Sequence, residues 1–351
     1  MPLNLQEEER RKLFETHEAP APLLDLLGAY LFRMAGTAAR RGVFELLREG
    51  PRTAAEAASL LGTDERGLGL LLGGLAAGGY LERDGERFAN SAMTQKFLLS
   101  DSPGGGADMV TFYDTLLVQL WADLDASILG GEPPRDYFRW LGERPDVLRR
   151  FQRLLSGNAR LIGERVVELA ALPDTARSLL DLGGGHGIYA AAFCKRHPEL
   201  RATLYDLPEA LEAGREMLAG RGLEGRVEFR AGDLLRDDLG GGYDAVLLAS
   251  VVHCLRPDDC ARLLGRVREA LKPGGVVIVS DQVPDRRPGD TVVRHAFLQT
   301  FSVSLFHLMG GQLYPADTIV RWLAGSGFAE PAVRPLPDTS FTLFVAARPE
   351  D

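Results

Sequence analysis

The sequence predicts an α/β protein, with a mostly helical N-terminal part followed by a parallel β-sheet that helices cover on both faces. Two observations lead to this class. Up to about residue 170, apolar residues recur at three- and four-residue spacing, which is typical of amphipathic helices. From about residue 175, short strands that are apolar on both faces alternate with helical segments, as in parallel sheets. A length of 351 residues also favours two domains over a single core.

The composition excludes several classes of function. A formal charge of −9 leaves no basic surplus to neutralise phosphates, which argues against a dedicated nucleic-acid binder. The cysteines Cys194, Cys254 and Cys260 have no paired spacing, so we expect a reducing, cytoplasmic setting and no disulfide framework. The charged segment 1–20 lacks the apolar core of a signal peptide, and no apolar run reaches the ~18 residues of a membrane-spanning helix.

Helices and a hairpin are predicted in the first hundred residues. The stretch "LLDLLGAYLFRMAGTAARRGVFELLREG" has helical periodicity and ends at Gly50–Pro51. Thr53 and Thr63 are placed to cap two further helices, and "YLERDGERFANS" is typical of a tight hairpin around Asp84–Gly85. Three helices followed by a hairpin form a winged-helix arrangement.

The third of these helices argues against DNA binding. Its sequence "RGLGLLLGGLAAGGY" has one arginine and is otherwise apolar. A helix that reads a DNA groove needs polar side chains for the bases and cations for the phosphates. We therefore interpret residues 1–105 as a packing or dimerisation domain in which this helix is buried.

Residues 106–172 are predicted to form further helices, in a linker and substrate-pocket region. The stretches "MVTFYDTLLVQLWADLDASIL" and "YFRWLGERPDVLRRFQRLLSGNARLIGERVVELA" are rich in aromatic residues. Aromatic residues at helical spacing either fill a core or line the pocket of a flat substrate, and both interpretations stay open here.

Residues 173–351 carry the predicted sheet. Strands are expected at "SLLDL", "ATLYD", "VEFR", "DAVLLAS" and "GGVVIVSD", with helices beginning at Ile188, Pro208 and Pro257. The last stretch, "AEPAVRPLPDTSFTLFVAARP", has two extended runs separated by Pro335 and Pro337. This pattern predicts a hairpin that completes the sheet.

The stretch "LLDLGGGHGIYAA" joins the first of these strands to a helix and predicts a ligand site. A glycine-rich loop places backbone N–H groups and a helix N-terminus beside a nucleotide-like ligand. The NAD fingerprint fails, because after Gly183 and Gly185 its third position is Ile188 and the glycine falls earlier, at Gly187. The spacing suits a ligand that has no pyrophosphate.

Acidic residues follow the neighbouring strands. Asp206 ends the second strand, where a carboxylate can accept hydrogen bonds from both hydroxyls of a ribose. In "AGDLL", after the third strand, Asp233 can accept from an adenine amino group while Leu234 packs on the ring. Asp181 can order the glycine loop or bind an ammonium group. Because all of these lie at the carboxyl ends of strands in one sheet, we expect S-adenosylmethionine as the ligand.

These motifs resemble one family along nearly the whole chain. "LLDLGGGHG", "YDLP", "AGDLL", the histidine loop "SVVHCLRPDDC", "LKPGGVVIVSDQV", "MGG" and "GSGF" follow one another as in the caffeic-acid-type, or class I, S-adenosylmethionine-dependent O-methyltransferases, whose bacterial branch modifies secondary metabolites. The resemblance implies a Rossmann-like methyltransferase sheet preceded by a winged-helix domain that forms a homodimer. It also implies a small aromatic or polyketide-type acceptor. The positions that match the family's donor site are Gly183, Asp206, Asp233 and Leu234, while Ala249 stands where the family has a lysine near the adenine. Gly184, Gly185 and Gly232 are also expected to contact the donor.

The resemblance also assigns the catalytic residues. His253 takes the place of the family's general base, and Asp281 takes the place of a glutamate that orients it. Leu313 replaces a second acid of the family, so the basic machinery is thinner here. His307 and Leu155 are expected in the acceptor pocket.

Two other functions stay open on the sequence. Some relatives with similar endings bind metal through histidines and methylate carbon, and others hydroxylate or decarboxylate. His253, His307 and Asp281 would then form the two-histidine, one-carboxylate set that suits non-haem iron. Alternatively, a winged-helix regulator could sense the methyl donor, which would require DNA binding.

Overall fold

The computed structural model describes residues 5–102 and 106–350. The chain divides into two compact units between Leu120 and Trp121. The three-part division expected from the sequence stays a prediction. Its first boundary, at residue 105, and the first four residues of the charged segment 1–20 lie outside the described residues.

The first unit is mostly helical. In the described residues, the strands Arg52–Thr53 (β1) and Leu81–Asp84 (β2) both pair with the central strand Arg87–Asn90 (β3) in antiparallel fashion. Its helices are α1 Glu7–Phe14, α2 Pro22–Arg40, α3 Val43–Arg48, α4 Ala54–Leu61, α5 Glu65–Ala77, α6 Ala92–Phe97 and α7 Gly106–Gln119, and its strands are β1 Arg52–Thr53, β2 Leu81–Asp84 and β3 Arg87–Asn90.

The long helix expected before Gly50–Pro51 is two helices in the structure, so this expectation was wrong in detail. Helix α2 ends at Arg40, and Gly42 adopts the left-handed conformation, with φ of 75°, before α3 begins. A left-handed residue cannot continue an α-helix, and glycine is the residue that adopts it without strain. The apolar spacing continues through the break because both helices face the same core.

One of the two predicted helix caps is confirmed. Thr53 caps α4: its side chain accepts from the N–H of Glu56, whose carboxylate accepts from the N–H of Thr53. Thr63 does not cap α5. The cap is the next residue, Asp64, whose Oδ1 accepts from the N–H of Gly67 at 2.6 Å.

The apolar helix that the sequence predicts as the third of its domain is α5 in the structure, and it is buried on one face. Leu68, Leu72 and Leu75 are at most 5% exposed, as expected for a helix that packs in a core. Leu70, on the opposite face, is 69% exposed within the single chain.

The second unit holds the sheet. A short 3-10 turn, Val252–Cys254, follows the strand Tyr243–Ala249. The helices are α8 Leu124–Gly130, α9 Tyr137–Gly142, α10 Pro145–Ala170, α11 Ile188–Arg196, α12 Pro208–Leu218, α13 Pro257–Ala270, α14 Val292–Met309 and α15 Ala316–Gly325, and the strands are β4 Ser178–Leu182, β5 Arg201–Asp206, β6 Val227–Ala231, β7 Tyr243–Ala249, β8 Leu271–Gln282, β9 Ala332–Pro335 and β10 Phe341–Ala347.

The sheet has the predicted topology. Its strand order in the described residues is β6-β5-β4-β7-β8-β10-β9. The strands from β6 to β8 are parallel, and β10 and β9 form the antiparallel hairpin at the end. The predicted Rossmann-like fold is therefore confirmed. Because the order reverses beside β4, the carboxyl ends of β4, β5 and β7 meet at the point where such sheets bind ligands.

Helices cover both faces of this sheet. One core packs α10 and α11 against residues such as Leu179, Leu247 and Ile278, and the other packs α13 and α15 against residues such as Leu180 and Val246. Because side chains alternate across a strand, neighbouring residues of one strand belong to different cores. Asp181 consequently lies on the α10 and α11 face. No helix in the described residues is both long and apolar enough to cross a membrane.

The correction at the start of α5 leads to a stability prediction. Asp64→Ala removes the cap and is expected to lower the free energy of unfolding by ~1 kcal/mol. Thr63→Val is the matched control and should be close to neutral, because the Thr63 hydroxyl is buried without a hydrogen-bond partner in the described residues. Urea unfolding followed by circular dichroism measures both. A larger loss for Thr63→Val would mean that Thr63 is the cap.

Candidate active site

The glycine-rich loop between β4 and α11 begins with a conformation that requires glycine. Gly183 has a φ of 73°, and its N–H donates to the carbonyl of Tyr205 at 2.8 Å. A Cβ atom at Gly183 would lie 2.7 Å from a methyl carbon of Val251, closer than side chains approach one another. The backbone of the loop can therefore come close to a ligand at the carboxyl ends of the strands.

Asp206, at the end of β5, holds this loop in place. Its Oδ2 accepts from the N–H of Gly185, which follows Gly184 in the loop, at 2.8 Å, and its Oδ1 accepts from the N–H of Leu207 at 2.7 Å. Burial raises the pKa of Asp206 to about 6, although both hydrogen bonds act to lower it. Each carboxylate oxygen can accept a further hydrogen bond, so the residue can still bind hydroxyl groups of a ribose.

Asp181, at the end of β4, is completely buried and only partly satisfied. Its Oδ2 accepts from the N–H of Ala190 at 3.2 Å, while its Oδ1 has no hydrogen-bond partner in the described residues. Burial, with a smaller contribution from the charge of Asp206, raises the pKa of Asp181 to about 7. A buried acceptor without a donor fits a ligand that brings a cation, such as the ammonium group of S-adenosylmethionine.

The loop after β6 lies against the end of β5. The N–H of Gly232 donates to the carbonyl of Asp206 at 3.0 Å. Asp233 is half-buried, and its Oδ1 accepts from the N–H of Leu235 at 2.8 Å. Leu234 is half-buried against the α13 core. The structure thus brings the predicted donor residues of three strand ends to the same edge of the sheet.

The other end of the site holds a buried histidine–aspartate pair. His253 lies in the 3-10 turn after β7, and Asp281 lies near the end of β8. The carboxylate of Asp281 accepts from Nδ1 of His253, from the N–H of His253 at 3.1 Å and from the N–H of Gln282 at 2.8 Å. Because an ionised carboxylate only accepts hydrogen bonds, it fixes the proton on Nδ1 and leaves Nε2 to exchange protons.

The charge of Asp281 governs the pKa of His253. Burial by itself lowers this pKa, but the negative charge of Asp281, assisted by Cys254, outweighs burial, so that the pKa lies well above its usual value. Asp281 therefore favours the protonated form of the imidazole. A positive charge bound nearby would lower the pKa again and favour the neutral base.

Leu313, at the position of the second acid in the family, is part of an apolar cluster. It is 2% exposed and packs with Leu298 and Leu305. Its N–H donates to the hydroxyl of Ser302 at 3.2 Å. This side chain offers no charge to the ring of His253, whereas the carboxylate of Asp281 hydrogen-bonds to its Nδ1.

His307 is buried on α14, and its ring bonds to a residue outside the His253–Asp281 pair. Its Nδ1 lies 2.6 Å from the hydroxyl of Ser127, and the ring of Trp121 packs edge-on at 5.9 Å between centroids. The same helix brings Phe301 to the ring of His253, with the centroids 6.0 Å apart. Helix α14 therefore connects the two histidines: it carries His307 and packs Phe301 against His253.

The alternative metal site finds no support in the geometry. In residues 5–102 and 106–350, no three His, Cys, Asp or Glu side chains converge as metal ligands. The Nδ1 atoms of His253 and His307 are engaged by Asp281 and Ser127. Leu155, the other residue expected in the acceptor pocket, is half-buried on α10.

Several residues of this edge were not found from the sequence. Gln152 on α10 is buried next to Gly185. His186, in the glycine loop, accepts from the N–H of Ile188 through Nδ1, and burial, with a smaller contribution from a nearby arginine, lowers its pKa to about 4. Ser250, just after β7, has a φ of 58°, which is a strained value for serine and turns the chain toward His253. Only Gln152 had a signal in the sequence, as a polar residue on an apolar helical stripe.

This is the fold of enzymes that hold a nucleotide-like ligand at the carboxyl edge of a parallel sheet. Residues 128–329 match the O-methyltransferase domain family, over more than half of the chain. The chain belongs to this family, as the resemblance predicted.

Two bacterial relatives are similar over most of their length. The mitomycin biosynthesis 6-O-methyltransferase of Streptomyces lavendulae is 33% identical over 75% of this chain and 77% of its own. The 3-hydroxy-5-methyl-1-naphthoate 3-O-methyltransferase of Streptomyces sahachiroi is 30% identical over 89% of this chain and 90% of its own.

Solved structures agree with the fold. The mitomycin 7-O-methyltransferase MmcR is 29% identical, with a TM-score of 0.83 over 95% of this chain and 98% of its own. The human N-acetylserotonin methyltransferase, solved in complex with S-adenosylmethionine, is 22% identical, with a TM-score of 0.79 over 96% of this chain and 99% of its own.

The raised pKa of Asp181 leads to a prediction for ligand binding. The carboxyl must be ionised to accept from an ammonium group, so affinity for S-adenosylhomocysteine should fall as the pH is lowered from about 8 to about 6. In Asp181→Asn the part of this dependence centred near pH 7 should disappear, which leaves a smaller fall near pH 6 from the carboxyl of Asp206. Asp206→Ala is the control: it should weaken binding roughly tenfold at pH 8 but keep the part of the dependence centred near pH 7. Calorimetry measures all three proteins, and an unchanged slope in Asp181→Asn would contradict the assignment.

Proposed function

We propose that this protein transfers the methyl group of S-adenosylmethionine to a hydroxyl group of a small aromatic or polyketide-type acceptor. Membership of the O-methyltransferase family supports the reaction. The names of the two Streptomyces enzymes, which act in mitomycin biosynthesis and on a hydroxynaphthoate, support the class of acceptor. The observation that carries the proposal is the buried His253–Asp281 pair at the same sheet edge as the glycine loop.

The residues around the glycine-rich loop, at the carboxyl edge of the sheet, would bind the donor. When bound, S-adenosylmethionine supplies a methyl group on a positively charged sulfur, which is an excellent leaving group. Asp206 would accept from the ribose hydroxyls, Asp233 from the adenine amino group, and Asp181 from the ammonium group. The backbone of Gly183, Gly184, Gly185 and Gly232 would come close to the donor, and Leu234 would pack on its ring. The protein then has mainly to position the acceptor and free its oxygen.

His253 would take the proton of the acceptor hydroxyl at Nε2. Ionising a phenol of pKa ~10 at pH 7 costs about 4 kcal/mol, at ~1.36 kcal/mol per pH unit. A neutral imidazole in hydrogen-bond reach removes much of this cost by accepting the proton as the new bond forms. Asp281 keeps the proton on Nδ1 and stabilises the imidazolium that results.

The acceptor pocket would be formed by the part of α14 that carries Phe301 and His307, together with α10. His307, held by Ser127, would position a polar group of the acceptor. Phe301 and Leu155 would pack against its ring. These residues supply one polar contact on an otherwise apolar surface, as pockets for flat ligands do.

We also propose that the first unit is a winged-helix dimerisation domain of a cytoplasmic homodimer. Apolar side chains on one face of α2 stay exposed in the single chain, among them Leu23 at 59% and Tyr30 at 61%. A contiguous apolar face of this kind is typical of an interaction site. Sedimentation at micromolar concentration is expected to give a dimer. A monomer, or sequence-selective binding to duplex DNA, would contradict this assignment.

The methylation test uses isotopically labelled S-adenosylmethionine with a panel of phenols and hydroxyquinones, and identifies the products by mass spectrometry. We expect the label on an acceptor oxygen. His253→Ala should lower kcat by roughly 10²–10⁴-fold with little change in donor affinity, because the base is lost. His253→Gln should recover little, since an amide accepts a hydrogen bond but takes no proton.

Two comparisons separate this mechanism from its rivals. Asp281→Asn removes the charge that raises the pKa of His253, so the rising limb of the kcat/KM profile should move to lower pH. His307→Ala should mainly raise the KM for the acceptor. Stoichiometric iron, loss of activity with a chelator and equal need for both histidines would instead establish the metal-dependent alternative.

A further inference from the structure

Gln152 is a buried polar residue that the mechanism does not use. It lies on α10 and is 4% exposed, and its Oε1 has no hydrogen-bond partner in the described residues. A buried amide oxygen without a donor costs stability, in the range of ~1–3 kcal/mol for such groups. Proteins leave few such atoms unpaired, and those that remain often await a ligand or water.

The position of this oxygen is specific. A Cβ atom at Gly185 would lie 2.7 Å from Oε1 of Gln152 and 3.0 Å from its Nε2. The amide therefore packs directly against the glycine loop, and a side chain at Gly185 would displace it. The glycine at this position allows α10 to present an amide to the loop.

Asp181 also approaches this loop and carries an unpaired oxygen. Its Oδ2, which accepts from the N–H of Ala190, lies 2.8 Å from where a Cβ of Gly184 would stand, and its Oδ1 has no partner in the part of the chain that the structure describes. Gln152 and Asp181 thus flank successive glycines, and each offers an acceptor that lacks a donor. A ligand that fits both must bring several N–H donors in one small group. An alkylammonium group has three.

We propose that Gln152 is a donor-binding residue that recognises the amino-acid end of S-adenosylmethionine, accepting through Oε1 from the ammonium group that Asp181 also binds. This inference rests on the proposed function. It assigns to α10 a part in selecting the methyl donor. A ligand that has the adenosine part but no amino acid would not use this residue.

The test compares two ligands in binding experiments without turnover. S-Adenosylhomocysteine has the amino acid, and 5′-methylthioadenosine has the same adenosine and thioether without it. Gln152→Leu, which keeps the bulk and removes the amide, should weaken S-adenosylhomocysteine binding roughly tenfold or more, as expected for a hydrogen bond to a charged group. Binding of 5′-methylthioadenosine should change by less than about twofold.

Two matched variants control for packing. Gln152→Glu keeps an acceptor oxygen and should bind S-adenosylhomocysteine within a few fold of the wild type at about pH 8. Ser156→Ala, one turn further along α10, removes a buried hydroxyl that already donates to the carbonyl of Arg153, and should leave the ratio of the two affinities unchanged. Calorimetry gives the affinities, and thermal unfolding shows that each variant is folded.

The outcomes that overturn the inference are distinct from failure of the proposed function. Equal losses for both ligands in Gln152→Leu would make the residue a packing element of the loop. No loss for either, or a loss in Gln152→Glu as large as in Gln152→Leu, would remove it from the donor site. If the wild-type protein bound 5′-methylthioadenosine and S-adenosylhomocysteine equally, no residue would recognise the amino acid. Failure of the wild type to bind either ligand would overturn the proposed donor itself.

Discussion

The site depends on carboxylates that are buried or half-buried at the ends of parallel strands. Parallel pairing of β4 with β5 and β7, and of β7 with β8, brings the carboxyl ends of these strands to one edge of the sheet. Asp181, Asp206 and Asp281 lie there, and each is held by backbone N–H groups of an adjoining loop or helix. Burying a charged group costs free energy unless the group is paired. These carboxylates are paired with backbone N–H groups, which holds the adjoining loops in place, and they can still bind a cation.

The negative charge of these carboxylates would couple the proposed donor site to the proposed base. The pKa of Asp181 and of Asp206 is raised by burial, and the pKa of His253 is raised by Asp281 in spite of burial. A cationic donor reverses both tendencies: it favours ionised carboxylates and a neutral imidazole. A bound donor would therefore make the neutral histidine, the form that can accept a proton, more populated in the state in which the proton has to leave.

The sequence was sufficient for the sheet and for most of the donor edge. Strands that are apolar on both faces predict a parallel sheet covered by helices. The acidic residues Asp181, Asp206 and Asp281 come at or near the ends of such strands, so their positions followed from the local pattern. Contacts between distant segments did not. The amide of Gln152 meets Gly185 only after α10 has packed on the sheet, and the left-handed turn at Ser250 is made by a residue with no special preference for it. At Thr63, two adjacent residues could each cap a helix, and the charged side chain of Asp64 makes the bond.

Because of the departures from the family pattern, the orientation of His253 depends more strongly on its hydrogen bond with Asp281. Leu313 lies in an apolar cluster, so its position supplies no second carboxylate to orient His253. Asp281 compensates by accepting from the ring and from the backbone N–H of the same histidine, so that one buried carboxylate fixes both the position of the turn and the tautomer of the base. A shorter acidic side chain than the family's glutamate is suited to this double contact, because it holds its oxygens close to the end of β8. The loss of the second acid and the shortening of the first can therefore be understood as a single change in how the base is held.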